Sequence, residues 1–370
     1  RVSHSHRTHP PEAPPPIAVA ASHKMAAAAR IDRMAGHLSP PPASPNAFAE
    51  DPVVVVSALR TPICRAKRGG FKDTTPDHLL RTVLEATIER TGIDPASVDD
   101  VCIGNVLEPG GGAATARMGQ LLAGFPAEVP LSAVNRQCSS GLQAFAHVAS
   151  AVASGVIEVG IAGGMESMTS TDMSSTMPTV DVDVIKAHPS ARDCMMPMGI
   201  TSENVAAKFG VTRETQDQFA ASSHAKAAHA QSQGLFDAEI VPVTVTVPGD
   251  DGAAATTAVV AADDGVRPTT TAEKLGKLKP VFKKDGSTTA GNSSQVSDGA
   301  AAVLVMRKSK AESLGLPILG ALRAYSVVGV PPNIMGIGPA KAIPAAIEKA
   351  SLSLDDIDIF EINEAFASQV

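Results

Sequence analysis

V-N-R-Q-C-S-S-G-L-Q-A-F, residues 134–145, is the stretch on which the reading of this 370-residue chain turns. Residues 129–135 before it read as a short apolar strand. After it, Leu142, Phe145, Val148, Ala149 and Val152 recur at helical spacing until Gly155 stops the pattern. Cys138 therefore stands where a strand turns into a helix. There, unpaired backbone N–H groups and the helix dipole favour a thiolate, and Gly141 lets another backbone or a substrate come close. A nucleophile is one reading of this cysteine; a buried structural thiol is the other, because free cysteine often serves as a small core residue.

Composition narrows the class. Hydrophobic content of 44% with 19% charged residues fits a globular chain with enough length for two or more cores. A net charge of −7 and only 3% aromatic residues argue against nucleic-acid binding, which needs basic patches and stacking rings. The four cysteines are scattered with no C-x-x-C pair, which argues against a disulfide framework and against a metal site. The best candidate for a membrane span, residues 148–165, is interrupted by Glu158 and several glycines.

Five blocks resemble the thiolases in order: the Cys138 stretch, G-G-M-E-S-M at 163–168, M-G-I-T-S-E-N at 198–204, A-G-N-S-S-Q-V-S-D-G-A-A-A at 290–302 and N-E-A-F at 363–366. The resemblance runs from about Asp51 to the last residue, and within the family it points to the 3-ketoacyl-CoA thiolases of peroxisomes. It implies an α/β chain of the thiolase fold, with two related α/β halves in a layered αβαβα arrangement and an inserted loop domain. The expected organisation is an N-terminal extension over residues 1–50, a first half over 51–313 with the insertion at about 167–289, and the start of a second half over 314–370.

The second half is expected to be incomplete. In this family a G-H-P motif, whose histidine activates the nucleophile, and a C-x-G motif, whose cysteine is the acid/base, follow N-E-A-F. Neither follows it here, and none of Cys64, Cys102, Cys138 and Cys194 is read as the C-x-G cysteine. His188 precedes Pro189 but lies far too early and follows Ala187. His147 sits about two and a half turns into the helix after Cys138 and should point away from it; His224 and His229 read as solvated. An internal repeat agrees. S-V-D-D-V-C-I-G-N at 97–105 aligns with S-L-D-D-I-D-I-F-E at 353–361, and A-L-R-T at 58–61 with A-L-R-A at 321–324. The first copy continues into the nucleophile helix, a strand at 157–163 and a final strand at 301–306. The second copy, with strands expected at 318–324 and after Asp356, would leave open edges and an uncovered apolar face.

The resemblance also implies roles. Cys138 takes the acyl group of a 3-ketoacyl-CoA, acetyl-CoA leaves as a carbanion, and a second CoA removes the acyl chain. The Cys138 N–H contributes to one oxyanion hole, Asn363 to another through a water, and Glu364 orients neighbours; for Asn363 and Glu364 the alternative is capping at a strand end. Ser294 matches a pantetheine contact, and Met198, Met335, Ala365 and Phe366 match positions lining the acyl pocket. Pro197 stands where acetoacetyl-specific biosynthetic thiolases tend to carry histidine, which favours the degradative type. No cofactor is implied, since CoA is a substrate, and the implied assembly is a homodimer. Two rivals remain: an acetoacetyl-CoA thiolase working in the condensing direction, and a catalytically incomplete chain that only dimerises or binds acyl-CoA.

Within the insertion, a helical region at 201–236, a strand at 239–247 and a low-complexity loop at 249–265 are expected. Arg267, Lys274, Lys277, Lys279, Lys283 and Lys284 either meet the CoA phosphates or form a solvated charged surface. Cys194, four residues before Met198, lies in a loop that should approach the active site. A disulfide with Cys138 that blocks the nucleophile is a further expectation, with an inert loop thiol as the alternative.

The first fifty residues differ from the rest. Residues 1–24 are rich in histidine and proline and are expected to be disordered, with Met25 read as the start. R-I-D-R-M-A-G-H-L at 30–38 resembles the type-two peroxisomal targeting signal: Arg30, Ile31, five spacers, His37 and Leu38. On a helix these residues and Met34 would form a stripe for the import receptor. A mitochondrial presequence is the competing reading of this Ala- and Arg-rich segment. Residues 39–45 read as a linker.

Overall fold

The computed structural model describes residues 50–171, 179–249 and 254–370. The 30–38 targeting stretch lies outside them. One mixed sheet organises the described chain. Its strands are β1 (Val53–Arg60), β2 (Cys64–Arg65), β3 (Asp100–Gly104), β4 (Leu131–Val134), β5 (Val159–Ser167), β8 (Ser297–Arg307) and β9 (Gly320–Ala321), in the order β4-β3-β5-β8-β1-β9 with β2 on β8. β3 runs parallel to β4 and β5, while β8 is antiparallel to β5 and β1. Parallel neighbours need a crossover. Two helices supply these crossovers, α2 (Ala113–Leu122) between β3 and β4 and α3 (Ser140–Ala153) between β4 and β5.

Helix α1 (Pro76–Thr91) shows how local chemistry and burial agree. Proline occupies the first turn, where its missing N–H is harmless, and Gly92 closes the helix at φ 66° with its N–H on the Ile88 carbonyl. Between these ends, Leu79, Leu80, Val83, Leu84 and Thr87 form the buried stripe. It packs on one sheet face against Val54, Val101, Ile103, Ile161 and Leu304. Because side chains alternate along a strand, Val53, Cys102, Ala162 and Val305 point the other way, onto Ala144, Val148, Ala149 and Val152 of α3. The first half is thus a helix, sheet, helix sandwich, and the apolar spacing after Cys138 forms the helix it predicts.

The insertion departs from expectation at two places. The helical region expected at 201–236 is two helices, α6 (Met198–Phe209) and α7 (Arg213–Ser232), split because Gly210 adopts φ 69° and the Thr212 side chain then caps α7. Two shorter helices, α4 (Val182–Ala187) and α5 (Pro189–Asp193), precede them. The low-complexity stretch is not all loop. Thr256–Val260 forms β7, paired antiparallel with β6 (Val243–Val247), and Val243 and Val245 join the main core. Threonine and valine alternate there, which suits a half-buried strand. A short helix α8 (Ala272–Gly276) follows.

The repeat is visible in part. In the first copy Asp94 caps a 3-10 turn, Pro95–Ser97, that leads into β3; in the second, Ser353 and Asp356 cap the turn Leu354–Asp356. The strand expected after that turn does not form, and the one expected at 318–324 is reduced to β9. β3 is held between β4 and β5, whereas residues 357–361 have no paired neighbour among the described residues. Ile359 is 78% exposed, and helix α9 (Gly338–Lys349) buries no residue.

Candidate active site

The turn between β4 and α3 is tightly tied. Asn135 Oδ1 accepts from the Gln137 N–H at 2.9 Å, Ser140 Oγ accepts from the Arg136 N–H at 2.9 Å, and Ser139 Oγ donates to the Arg136 carbonyl at 2.9 Å. These bonds hold Gln137 at φ 50°, a conformation that costs a non-glycine residue about 1 to 3 kcal/mol. That bend carries Cys138 onto the tip of the turn, exposed, with a free thiol. A buried structural thiol is therefore the wrong reading of this cysteine.

Close approach occurs at a different glycine from the one expected. A Cβ on Gly104, at the end of β3, would stand 2.3 Å from the Ser140 carbonyl carbon, whereas one on Gly141 meets nothing nearer than the Gly163 oxygen at 3.9 Å. Gly104 is what lets the start of α3 sit on the strand ends. Glu166, in the G-G-M-E-S-M block, braces the same turn. Its carboxylate accepts from the Val106 N–H at 2.9 Å and the Leu107 N–H at 3.2 Å, and the Val106 carbonyl accepts from Asn135 Nδ2 at 3.2 Å. Burial pushes the Glu166 carboxyl above its ordinary pKa, against the pull of these N–H groups. Neither Glu166 nor Asn135 carries a role in the sequence resemblance; the available signal for Glu166 was an acid standing within the otherwise uncharged run G-G-M-E-S-M.

Cys102 does stand in a C-x-G triplet, Cys102-Ile103-Gly104, which the sequence reading passed over. It lies within β3 and is 4% exposed, and burial pushes its thiol up. Nothing there suits an acid/base in contact with substrate.

Ser294, Asn363 and Glu364 are brought together on the wall of a cavity of about 890 Å³, which Ser223, His224 and Arg267 also line. Backbone pairing joins the two distant motifs: the Ser294 N–H donates to the Ala365 carbonyl and the Ala367 N–H to the Asn292 carbonyl, both at 2.9 Å. Ser223 Oγ donates to Glu364 Oε2. Such a volume suits a small-molecule ligand. Cys138 is not among the lining residues. His147 is exposed and so is His229, the latter as expected, but His224 is half-buried and faces the cavity. Arg267 also reaches it, whereas Lys274, Lys277, Lys279, Lys283 and Lys284 are exposed outside.

The residues expected to line an acyl pocket gather around α6. Met198 is its first residue, Gly199 lies directly beneath the Phe282 ring, and that ring meets Phe366 edge to face at 6.3 Å. Met335 is in the 3-10 turn Pro332–Ile337, docked by a bond of 2.9 Å from Asn204 Nδ2 to the Asn333 carbonyl. Ala365 is buried. Cys194 ends α5, exposed, its Sγ 3.4 Å from the Ser190 carbonyl, and it is a free thiol like Cys138. Among the described residues no helix is long and apolar enough to cross a membrane.

A family profile described as the thiolase N-terminal domain matches residues 53–309, and one described as the thiolase C-terminal domain matches residues 316–370. The chain belongs to the thiolase family. Human peroxisomal 3-ketoacyl-CoA thiolase is 60% identical over 326 residues, covering 88% of this chain and 76% of the relative. Rat peroxisomal 3-ketoacyl-CoA thiolase B is 62% identical over 325 residues, with the same coverage. Among solved structures, the dimeric peroxisomal thiolase of Saccharomyces cerevisiae superposes with a TM-score of 0.80 at 44% identity, over 86% of this chain and 80% of that one. The thiolase fold is thereby established for this chain.

Proposed function

We propose that this thiolase cleaves 3-ketoacyl-CoA with CoA to give acetyl-CoA and a shortened acyl-CoA, in fatty-acid β-oxidation within the peroxisome. The observation that carries the reading is the exposed Cys138 on a bonded strand-to-helix turn, in a chain about 60% identical to peroxisomal 3-ketoacyl-CoA thiolases. The Cys138 thiolate attacks the C3 carbonyl of the substrate. Collapse of the tetrahedral adduct breaks the C2–C3 bond, and the electron pair leaves on the acetyl-CoA fragment, which takes up a proton. The CoA thiol then attacks the acyl-cysteine, releasing the shortened acyl-CoA and restoring the thiolate. Two easier steps replace one hard carbon–carbon cleavage.

The Cys138 N–H is assigned to the oxyanion of the tetrahedral adduct, and Asn363, through a water, to that of the departing enolate. Glu364 orients this segment, supported by its bond from Ser223. Ser294 on the cavity wall is assigned to the pantetheine, and Arg267 to the CoA phosphates. Met198, Met335, Ala365 and Phe366 are assigned to the acyl chain. CoA acts as substrate, and no further cofactor is required.

The dimer is assigned to the β4 side of the sheet. β4 is an edge strand, and Met118, Leu121 and Leu122 on α2 are 54%, 43% and 54% exposed. The 30–38 signal is assigned to the import receptor; Arg30→Ala with Leu38→Ala should leave the protein in the cytosol by fluorescence microscopy, and unchanged import would remove that assignment.

The deciding experiment is incubation with a 3-ketoacyl-CoA in the absence of CoA, followed by peptide mass spectrometry. An acyl adduct on Cys138, absent in Cys138→Ala, is expected. Acyl-CoA binding without an adduct would instead select a chain that binds and does not turn over.

A further inference from the structure

We infer that His224 is a positioning residue of the proposed acyl-CoA cavity, whose neutral imidazole latches the loop at 265–267 to helix α7 and so holds that wall of the cavity in place. This rests on the reading of the cavity as the CoA site. His224 projects from α7 into the cavity wall, and its Nδ1 accepts from the backbone N–H of Arg267 at 3.3 Å. Accepting there requires Nδ1 to carry no proton, which leaves Nε2 as the donor. Protonation would set one N–H against another, and the latch would open.

The surroundings favour the neutral ring. Burial pushes the imidazole below its ordinary 6.5 and the Arg267 guanidinium adds to this, while the Glu364 carboxylate opposes both. Of the other charged groups packed nearby, Asp263 is engaged by Arg60 at 2.8 Å, and Lys274 Nζ donates to the Thr269 carbonyl. Glu273 on α8 is tied to Thr271, and Glu361 lines the same cavity. On α7 itself, Arg213 and Asp217 pair with each other at 2.6 Å, and Lys226 is exposed. His224 thus links three elements: its own helix, the loop that brings Arg267 to the cavity, and the N-E-A-F segment through the field of Glu364. The sign of the dependence follows. The latch is fully present above the ordinary histidine pKa and is lost as pH falls through the lowered value of the folded protein.

The test is calorimetric titration with CoA of the wild type, His224→Asn and His224→Leu, over a pH series from neutral down through the lowered value of the folded protein, well below the ordinary histidine pKa of about 6.5. Asparagine keeps an acceptor near the Nδ1 position but does not titrate; leucine removes it. Comparing proteins at one pH cancels the titration of the CoA phosphates. His224→Asn is expected to match the wild type at neutral pH and to bind about threefold to tenfold more tightly in acid, the worth of one hydrogen bond. His224→Leu is expected to be weaker by a similar factor at neutral pH. Equal affinities of all three across the series would overturn the inference. Hydrogen exchange of the unliganded peptide at 263–270, taken relative to the intrinsic amide rate at each pH, gives a second readout: protection lost in acid by the wild type and not by His224→Asn supports the latch, and parallel protection overturns it. Absence of CoA binding by the wild type would sink the reading of the cavity, while the exchange result would still decide the latch.

Discussion

Asn292 and Asp217 face each other inside the junction between the A-G-N-S-S run and α7, with Asn292 Nδ2 donating to Asp217 Oδ1 at 2.9 Å and both side chains buried. The second Asp217 oxygen takes Arg213 Nε at 2.6 Å, and Arg213 Nη2 reaches the Leu275 and Leu278 carbonyls. One buried acid therefore ties together α7, the start of the Lys-rich stretch and the wall that carries Ser294. Asn292→Ala should destabilise the protein by about 1 to 3 kcal/mol, since the Thr289 N–H and an Asp217 oxygen lose their partner. It should also raise KM for CoA more than it lowers kcat. Denaturant unfolding and steady-state kinetics check both.

Gly104 and Gly141 should respond oppositely to a methyl group. Gly104→Ala forces the start of α3 off the strand ends and should destabilise by about 1 to 3 kcal/mol, as overpacking does. Alkylation of Cys138 by iodoacetamide should change in rate at the same time. Gly141→Ala meets only ordinary contacts and should unfold at nearly the wild-type denaturant midpoint.

Glu203 makes stability depend on acid in a defined direction. Burial would raise its pKa, but the N–H groups of Ser287 and Thr288 and the Ser287 hydroxyl outweigh it and hold the carboxyl below the ordinary 4.5. A carboxyl lowered on folding contributes stability that is present above its unfolded pKa and lost as pH falls through the folded value. Glu203→Gln should therefore be less stable than the wild type at neutral pH, with the gap narrowing below pH 4.5, by chemical unfolding at each pH.

Cys194→Ser tests the redox expectation. If peroxide joins Cys194 to Cys138, two thiols are oxidised to one disulfide while peroxide is reduced to water, and dithiothreitol restores activity. The variant should lose this reversible inactivation; an unchanged response would show that Cys138 oxidises alone.

The first half was legible because its signals are local. Apolar spacing predicts α3, the polar turn residues around Cys138 predict the bend, and valine-rich runs predict β1 and β8. What escaped depended on partners distant in sequence. Nothing around Thr256 reveals that Val243–Val247 will pair with it. Gly210 ended a helix that the surrounding spacing would have continued. Of the candidate residues, Ser294 and Asn363 come from motifs about seventy positions apart and share one cavity wall, on which Cys138 does not lie. His224 was misread because its only local signal was a helix with many polar residues, and its partner lies 43 positions away.

Arg307, at the end of β8, donates to the Val152 carbonyl at 3.2 Å and to the Ala153 carbonyl, and so grips the last turn of α3, while Ser139 and Ser140 fasten its first. A helix of 14 residues held at both ends is a strut about 21 Å long with no freedom to slide. The height at which Cys138 is presented is thereby gauged from the opposite rim of the sheet, and loosening that far anchor would be felt at the thiol.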